Sequence, residues 1–265
     1  MNVQSLFIYP VKSLAGIPVS HLALDDFGPS GDRRWMIVDA NGKFATQRRL
    51  PRLALIGVAL DGEAVNIQIP GQGEFALTPD NKQEQVTVWR DQVLASAAQQ
   101  MANEALSRFC GEPLRLVYMP ETTFRRVDPE RVADERRVGF ADGFPFLVAN
   151  SASLAELNGR LAQPVDMRRF RPNIVISGAE PWAEDNWRVL HVGDVGLRVV
   201  KPCSRCVLTT VNPDTGVKDP GTEPLKTLSG YRRTGDGVIF GQNAVHDGRG
   251  RIVVGDSVSI IEQEC

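Results

Sequence analysis

A Cys-x-x-Cys pair is the feature of this sequence with the most specific chemistry. Cys203 and Cys206 lie within the segment Lys201–Gly216. A structural zinc site would need a second pair of ligands at a suitable spacing. The other cysteines, Cys110 and Cys265, are isolated in the sequence, and no histidine is close to the pair. The sequence therefore does not predict a zinc site.

The same pair also lacks the context of a dithiol redox centre. A thioredoxin-type pair begins a helix within a βαβ unit, whereas this pair lies between two strand-like runs, Leu197–Val200 and Val207–Val211. Two interpretations stay open. In the first, one thiolate at a strand edge, favoured by Arg205 and other basic groups, is a soft ligand for a redox metal. In the second, Cys203 and Cys206 are small core hydrophobes.

Basic clusters at predicted strand ends could bind an anionic group. Lysine ammonium and arginine guanidinium groups are common ligands of phosphate. The alternative is that these charges are solvated, as charges at strand ends usually are. If the clusters converge, they predict a polarised surface in a chain of almost balanced charge. The clusters are Tyr9–Ser13, Gly31–Trp35 with Arg48, Arg49 and Arg52, and Arg168–Asn173.

Composition excludes several broad classes of protein. The 265 residues include 30 Lys and Arg against 32 Asp and Glu, a formal charge of −2, so the basic surplus of a general nucleic-acid binder is missing. Apolar residues make up 42%, which is too many for a disordered chain. No apolar run reaches the ~18–20 residues of a membrane span. The first ten residues do not resemble a secretory leader. We expect a cytoplasmic protein that binds neither nucleic acid nor membrane.

Several common catalytic motifs are also missing from the sequence. It contains no phosphate-binding loop, no Gly-x-Gly-x-x-Gly after a strand, no Gly-x-Ser-x-Gly and no His-Glu-x-x-His. A nucleotide triphosphatase, a Rossmann dehydrogenase and an α/β-hydrolase are therefore not predicted.

The elements that would position these residues are mostly strands. The first ~95 residues contain short apolar or alternating runs with no helical pattern between them, which favours an antiparallel barrel or sandwich. A helix is predicted over Ser96–Cys110, with Ser96 as its cap and Gly111 as its stop. A second helix is predicted to begin near Ser153, which forms a capping box with Glu156. The polar stretch Pro120–Arg137 predicts a linker, and strands return after Pro164.

Four segments of this chain resemble the MOSC family. They are Tyr9–Ser13, Asp32–Trp35, Arg171–Val175 and Cys203–Gly216. Their order matches a MOSC N-terminal β-barrel domain followed by the MOSC domain, and the resemblance is greatest to the amidoxime-reducing component and its bacterial relatives. The resemblance implies an α+β, strand-dominated fold. In it, an N-terminal antiparallel β-barrel-like domain (residues 1–120) packs on a MOSC β-barrel domain with peripheral helices (residues 121–265).

The resemblance implies a molybdenum cofactor, in which a pterin dithiolene holds molybdenum and a protein cysteine is a further ligand. That cysteine is the second of the pair, Cys206, which is also the implied catalytic residue. Asn150 and Ser151, just before the predicted second helix, match a small polar contact of the family. The other implied cofactor-binding residues are Lys12, Ser13, Arg33, Arg171, Asn173, Ser204 and Arg205.

The resemblance further implies an oxidoreductase of N-hydroxylated compounds, which acts by oxygen-atom transfer from the N–O bond to molybdenum. Some bacterial relatives carry a ferredoxin-like domain with an iron–sulfur cluster, which the lone Cys265 could not hold. Electrons would therefore come from a separate donor of ferredoxin or flavodoxin type. The alternative function is a carrier or sulfur-transfer module, of the kind found in cofactor sulfurases, that has no reductase turnover.

Overall fold

The computed structural model describes residues 1–264, so Cys265 lies outside the described residues. These residues form nineteen strands, three α-helices and four short 3₁₀ helices. The strands of the first half are β1 (Asn2–Ile8), β2 (Ile17–Val19), β3 (His21–Asp25), β4 (Gly28–Pro29), β5 (Trp35–Val38), β6 (Gly57–Asp61), β7 (Ala64–Ile69), β8 (Gly73–Leu77), β9 (Pro79–Val88), β10 (Asp91–Ala98) and β11 (Arg115–Tyr118). Those of the second half are β12 (Phe146–Asn150), β13 (Ile174–Ser177), β14 (Trp187–Val192), β15 (Val195–Ser204), β16 (Arg233–Thr234), β17 (Gly237–Asp247), β18 (Arg251–Val253) and β19 (Val258–Gln263). The helices are α1 (Gln100–Cys110), α2 (Ser151–Asn158) and α3 (Leu225–Ser229), and the 3₁₀ helices are Pro51–Leu55, Met167–Arg169, Ala183–Asp185 and Val207–Thr210.

The largest sheet combines strands from both ends of the sequence. Its order is β19-β14-β15-β17-β12-β13-β1-β2, with β16 paired to β17. Strand β1 lies antiparallel to β13, where Leu6 is opposite Ile174, and β13 lies parallel to β12. Because β1 alternates between exposed and buried residues, it covers one face of this sheet with Val3, Leu6 and Ile8. The first strand is therefore an integral part of the C-terminal sheet.

The remaining strands form three smaller sheets. Their orders are β5-β11-β10-β9, β18-β3-β4 and β6-β7-β8. Among residues 1–264, each of these orders is an open path, so the expected barrel-like domains are seen as open sheets packed together. The prediction of a strand-dominated α+β fold is confirmed.

Among the described residues, five apolar clusters hold these sheets, and the two largest lie in different parts of the molecule. One lies on the large sheet and includes Trp187, Phe146 and Ile174, and the other lies under α1 in the N-terminal half and includes Ile37 and Leu106. A further cluster packs Phe170 against Phe240, whose rings stack with centroids 3.8 Å apart. Phe170 is followed directly by Arg171, so this stack fixes the backbone from which that arginine projects.

Both predicted helices form, but their N-termini differ from the prediction. Helix α1 begins at Gln100, because Ser96 belongs to β10 and pairs with Tyr118 of β11. Its end is as predicted, with Gly111 in the left-handed conformation at φ 77°. Helix α2 begins at Ser151 with Asn150 as its cap, not at Ser153. The Ser153 hydroxyl instead donates a hydrogen bond to Glu184, since both side chains are fully buried together.

The strand predicted over Val207–Val211 is wrong. The chain leaves β15 at Ser204, and Val207–Thr210 forms a 3₁₀ turn whose Thr209 and Thr210 hydroxyls donate to backbone carbonyls three residues earlier. Threonine makes such local bonds readily, which competes with strand pairing. As a result, Cys206 lies where the strand ends and the turn begins.

Candidate functional site

A cleft between the N-terminal and C-terminal halves contains most of the residues expected at the site. Its empty volume, open mouth included, is about 790 Å³. Residues far apart in sequence meet there because β1 inserts beside β13, which brings the segment after β1 next to the segment before β13. Eight of the ten expected residues line it: Lys12, Ser13, Arg33, Arg171, Asn173, Ser204, Arg205 and Cys206.

The Cys206 thiol lies next to an arginine from the N-terminal half. Arg48 Nε donates to Cys206 Sγ over 3.1 Å, and Arg48 Nη2 donates to Asp142 Oδ2 over 3.2 Å. Desolvation in the cleft lowers the pKa of Arg48, but Asp142 and the Cys206 sulfur outweigh it, so the net shift is upward. The Cys206 sulfur therefore lies at the cleft with a guanidinium group beside it.

The other cysteine of the pair, Cys203, has a different partner. Arg205 Nη1 donates to Cys203 Sγ over 2.8 Å, and Arg205 Nη2 donates to the Phe170 carbonyl over 2.7 Å. The Arg205 Nε group is buried and has no hydrogen-bond partner among the described residues. Cys203 thus holds one end of the Arg205 guanidinium, whose Nε–H is still available as a hydrogen-bond donor.

Lys12 and Asp142 form an ion pair within the cleft. The Lys12 side chain is 7% exposed, and its ammonium donates to the Phe140 carbonyl over 2.7 Å and to Asp142. Burial lowers the pKa of Lys12 to about 8, although Asp142 opposes that shift. Desolvation raises the pKa of Asp142, but Lys12 and Arg48 outweigh it and hold the carboxyl well below its usual range. The Asp142 side chain is nevertheless 60% exposed, so this carboxylate faces the open part of the cleft.

Arg33 belongs to a buried network with Asp32 and Asn173. Arg33 Nη1 donates to Asp32 and to Asn173 Oδ1, the latter over 3.0 Å. The Asn173 amide donates to Asp32 Oδ1 and to the Phe7 carbonyl, and its oxygen also accepts from Leu147 N. The protein itself therefore satisfies both donors and both acceptor lone pairs of the Asn173 side chain, which orients Arg33.

Arg171 and Arg33 both pack on the ring of Tyr9. Their guanidinium carbons lie 4.3 and 4.4 Å from the ring centroid. Burial lowers the pKa of Arg171 to about 10, and its Nη1 donates to the Leu14 carbonyl over 2.6 Å. Burial raises the pKa of Tyr9 to about 12, so its hydroxyl stays neutral. Two desolvated guanidinium groups side by side make this wall of the cleft strongly attractive to anions.

The two serines at the site are held by their surroundings in different ways. The Ser13 carbonyl accepts from Gln47 Nε2 over 2.8 Å. The Ser204 hydroxyl donates to the Asp236 carbonyl over 2.6 Å. Both residues line the same cleft as Cys206.

Left-handed backbone conformations are concentrated around this cleft. Six non-glycine residues of the described chain have positive φ, and four of them border the cleft or its mouth: Ser13 at 71°, Arg33 at 46°, Trp89 at 57° and Arg171 at 58°. Such conformations cost of order 1 kcal/mol or more and persist where the surrounding structure enforces them, often at functional sites.

The structure does not bring Asn150 and Ser151 to the cleft. They lie at the opposite end of β12, where the Asn150 side chain accepts from Ala152 N and donates to Glu184 Oε2 over 3.0 Å and to the Glu180 carbonyl over 2.8 Å. Asn150 is fully buried, and these bonds cap α2. Asn and Ser are common at the start of a helix because they cap it. Capping therefore accounts for these residue types without any contact to a cofactor.

Sequence reasoning missed the importance of Arg48 and Asp142. Arg48 was one of three similar arginines, but Arg49 pairs with Glu112 at the surface and Arg52 packs on Phe109. Asp142 lies in an irregular segment without a motif. No sequence signal separated Arg48 from its neighbours, because the distinction depends on which side chain faces Cys206.

Two observations limit the kinds of site that the described residues can form. Within residues 1–264, no three His, Cys, Asp or Glu side chains cluster as metal ligands. In the same residues, no helix has both the length and the apolar character that a membrane crossing requires.

Comparison with known proteins gives matches along nearly the whole chain. Residues 1–113 match the MOSC N-terminal beta barrel domain, and residues 135–259 match the MOSC domain. The chain is 38% identical to the human mitochondrial amidoxime-reducing component 1, over 99% of this chain and 83% of that protein. It is 35% identical to the human mitochondrial amidoxime reducing component 2, over 87% and 72%. It is also 29% identical to a molybdenum cofactor sulfurase of Oryza sativa subsp. japonica, over 91% of this chain but 32% of that protein. The chain therefore belongs to the MOSC family, with the family's N-terminal domain preceding its MOSC domain.

Proposed function

We propose that this protein is a molybdenum-cofactor oxidoreductase that reduces N-hydroxylated compounds, with the Cys206 thiolate as the protein's ligand to the metal. The observation that carries the proposal is the shared cleft: Cys206 Sγ lines the same space as cationic groups from both halves of the chain. The similarity to amidoxime-reducing components over almost the full chain supports the reaction type.

The residues present fit such a cofactor. A thiolate suits a soft, redox-active metal, and the scarcity of other protein ligands suits a metal that arrives with its own sulfur ligands. The buried Arg205 Nε without a partner and the paired guanidinium groups of Arg33 and Arg171 suit an anionic phosphate or an electron-rich heterocycle. When bound, the cofactor would supply oxygen-atom transfer from an N–O bond.

The chain's own residues would bind and orient this group. Lys12, Ser13 and Arg33 would hold it from the proposed N-terminal domain, residues 1–120. Arg171, Asn173, Ser204, Arg205 and Cys206 would do so from the proposed MOSC domain, residues 121–265, with Asn173 acting through Arg33. Lys12 is mainly protonated at neutral pH because its pKa is about 8. Arg48 would hold the Cys206 sulfur in position at the cleft through its Nε hydrogen bond.

The stoichiometry of the proposed reaction defines the electrons and protons that the site must receive and the products that it must release. Reduction of an N-hydroxylated compound to the parent N–H compound and water consumes two electrons and two protons. We propose that the electrons come from a separate ferredoxin- or flavodoxin-type donor. The cytoplasmic location also stays a prediction.

The first experiment measures molybdenum and pterin after purification from a host that makes the cofactor. The wild type is expected to contain nearly one molybdenum per chain, Cys206→Ala almost none, and Cys203→Ala most of the wild-type amount. The wild type should then reduce an amidoxime with a chemical electron donor. A wild type without molybdenum or pterin would overturn the proposal, and so would equal loss in both cysteine variants.

A second candidate is a carrier or sulfur-transfer module for the same cofactor. The match to a molybdenum cofactor sulfurase over 91% of this chain favours it. Cofactor exchange separates the two functions. A carrier releases its cofactor to an acceptor protein within the time of an assay, whereas a reductase retains it through repeated turnover.

A further inference from the structure

The indole of Trp89 is held at the mouth of the cleft in an unusual backbone conformation. Val88 of β9 pairs with Asp91 of β10, which leaves Trp89 and Arg90 as a two-residue hairpin loop. Trp89 has φ 57°, at a loop position that normally favours glycine or asparagine. A bulky side chain at positive φ is strained, so contacts of the side chain must compensate for the backbone conformation.

Two of those contacts are with residues that line the cleft, Arg48 and Asp142, and the third is with Phe44. Trp89 Nε1 donates to Asp142 Oδ1 over 3.2 Å, and the Phe44 ring lies 5.1 Å away, centroid to centroid. The Arg48 guanidinium carbon lies 4.6 Å from the indole centroid. Despite these contacts, Trp89 is 45% exposed. The indole is thus fixed in orientation and still presents aromatic surface to solvent.

One side chain separates this aromatic surface from the candidate metal ligand. Arg48 contacts the Trp89 ring and also donates to Cys206 Sγ. Lys12 donates to the same Asp142 oxygen as Trp89, whereas Arg33 and Arg171 pack on the ring of Tyr9. Trp89 is not among the residues proposed to hold the cofactor, and its indole stays 45% exposed beside Arg48.

We propose that Trp89 is a specificity-determining residue, whose exposed indole stacks on the planar, conjugated part of an aromatic N-hydroxylated substrate. This inference rests on the reductase function proposed above and adds the residue that selects among its substrates. Stacking on an indole is tolerant of ring type, because any planar conjugated ring has a face to offer. The site would thus prefer aromatic amidoximes or N-hydroxylated bases to compact aliphatic hydroxylamines.

The test compares an aromatic and an aliphatic substrate in variants of the cofactor-loaded protein. Trp89→Gly removes the indole and fits the positive φ, so it is expected to fold at least as well as the wild type. It should lower kcat/KM for benzamidoxime by roughly 5- to 100-fold, the range given by loss of one stacking contact. For N-methylhydroxylamine, kcat/KM should change by less than about threefold, since this substrate has no ring to lose. Trp89→Phe keeps a ring and should retain most of the discrimination.

A binding measurement removes the dependence on turnover. Benzamidine, the product that cannot be reduced further, is titrated into cofactor-loaded wild type and Trp89→Gly, and its Kd should rise by the same factor as kcat/KM falls. Phe124→Ala is the matched control, because Phe124 is 53% exposed but lies in a different groove beside Arg137 and His246. This control should leave both measurements unchanged.

The outcomes separate this inference from the proposed function. If the wild type reduces neither substrate, the proposed function fails. If the wild type reduces both and Trp89→Gly lowers both equally or neither, the assignment of Trp89 is overturned. A fall in molybdenum or pterin content in Trp89→Gly also overturns it, because Trp89 would then belong to the cofactor's own contacts.

Discussion

The parallel strands β12 and β13 have a polar cluster at each end, and the two clusters differ in their surroundings. One borders the open cleft, and the other is fully buried beside α2. At one end, Leu147 and Asn173 border the cleft, where cationic side chains from both halves surround empty space. At the other end, Asn150, Ser153 and Glu184 are fully buried against one another and cap α2. Both clusters contain residue types that are common in binding sites. The comparison shows that a site is distinguished by space and surplus charge, not by polar residue types alone.

The largest effect on cofactor content is expected at Arg171, and it tests whether the cleft end of the strand pair is the binding site. Arg171→Met removes a guanidinium whose charge the protein disfavours, as its pKa of about 10 shows, so unfolding free energy should change little. Cofactor content should fall at least tenfold, because a charged hydrogen bond contributes about 1.5–3 kcal/mol. Urea unfolding and molybdenum analysis measure the two effects. Arg168→Met is the control, since Arg168 pairs with Asp214 at the surface; a similar cofactor loss there would show that cleft position is not decisive.

The second largest effect is expected at Asn150, where stability should fall and cofactor content should not change. Asn150→Ala removes the cap of α2 and leaves Glu184 without one of its donors. The unfolding free energy should fall by about 2 kcal/mol. Molybdenum per folded chain should stay at the wild-type value. Loss of cofactor at unchanged stability would instead put Asn150 among the cofactor's contacts.

The third effect concerns the buried carboxyl of Glu184. Burial raises its pKa, although Ser153 and Asn150 donate to it, and its Oε1 atom is buried with no hydrogen-bond partner among residues 1–264. The protonated form is thus favoured in the folded state, so its contribution to stability is full below the unfolded pKa and is lost as pH rises through the folded pKa. Glu184→Gln mimics the neutral form and should increase stability by about 1 kcal/mol at pH 8.

Thermal melts from pH 4 to pH 8 provide the measurement for Glu184→Gln. The advantage over the wild type should shrink steadily as pH falls, because the wild-type carboxyl becomes protonated. A difference that is independent of pH would show that the effect comes from packing and not from ionisation.

The smallest effect is expected at Ser151. Its side chain is neither the cap of α2 nor part of the cleft lining. Ser151→Ala should change unfolding free energy by less than about 0.5 kcal/mol. Molybdenum content should be unchanged. Ser13→Ala is the informative partner variant, because Ser13 lines the cleft, and it should lower cofactor content while Ser151→Ala does not.

The sequence predicted the cleft residues well where a motif marks a strand end. Lys12 and Ser13 follow β1, and Arg171 and Asn173 precede β13, so the pairing of these two strands brings them together. Cys206 follows β15, which belongs to the same sheet. The type of each side chain already indicated an anionic ligand and a soft metal.

Other parts of the site could not be predicted, because only the folded structure shows which of several similar residues faces the cleft. Arg48 differs from Arg49 only in the direction of its side chain, which the 3₁₀ turn at Pro51–Leu55 and the cleft packing determine. Asn150 was expected at the site from the family resemblance, whereas in the structure its side chain caps α2. The turn at Val207–Thr210 was missed because its β-branched residues also favour strands.

The pairing of β1 with β13 has a consequence for the order in which the chain assembles during synthesis. Leu6 is opposite Ile174, so the first strand leaves the ribosome long before its partner exists. At about 5–20 residues per second, that delay is roughly 10–30 s. During this time the apolar side of β1 has no permanent cover, which makes the nascent chain a substrate for chaperones that bind exposed apolar strands. Lys12 and Arg33 then reach the cleft only in the last stage of folding, so the cofactor can be loaded only after the second half of the chain has been made.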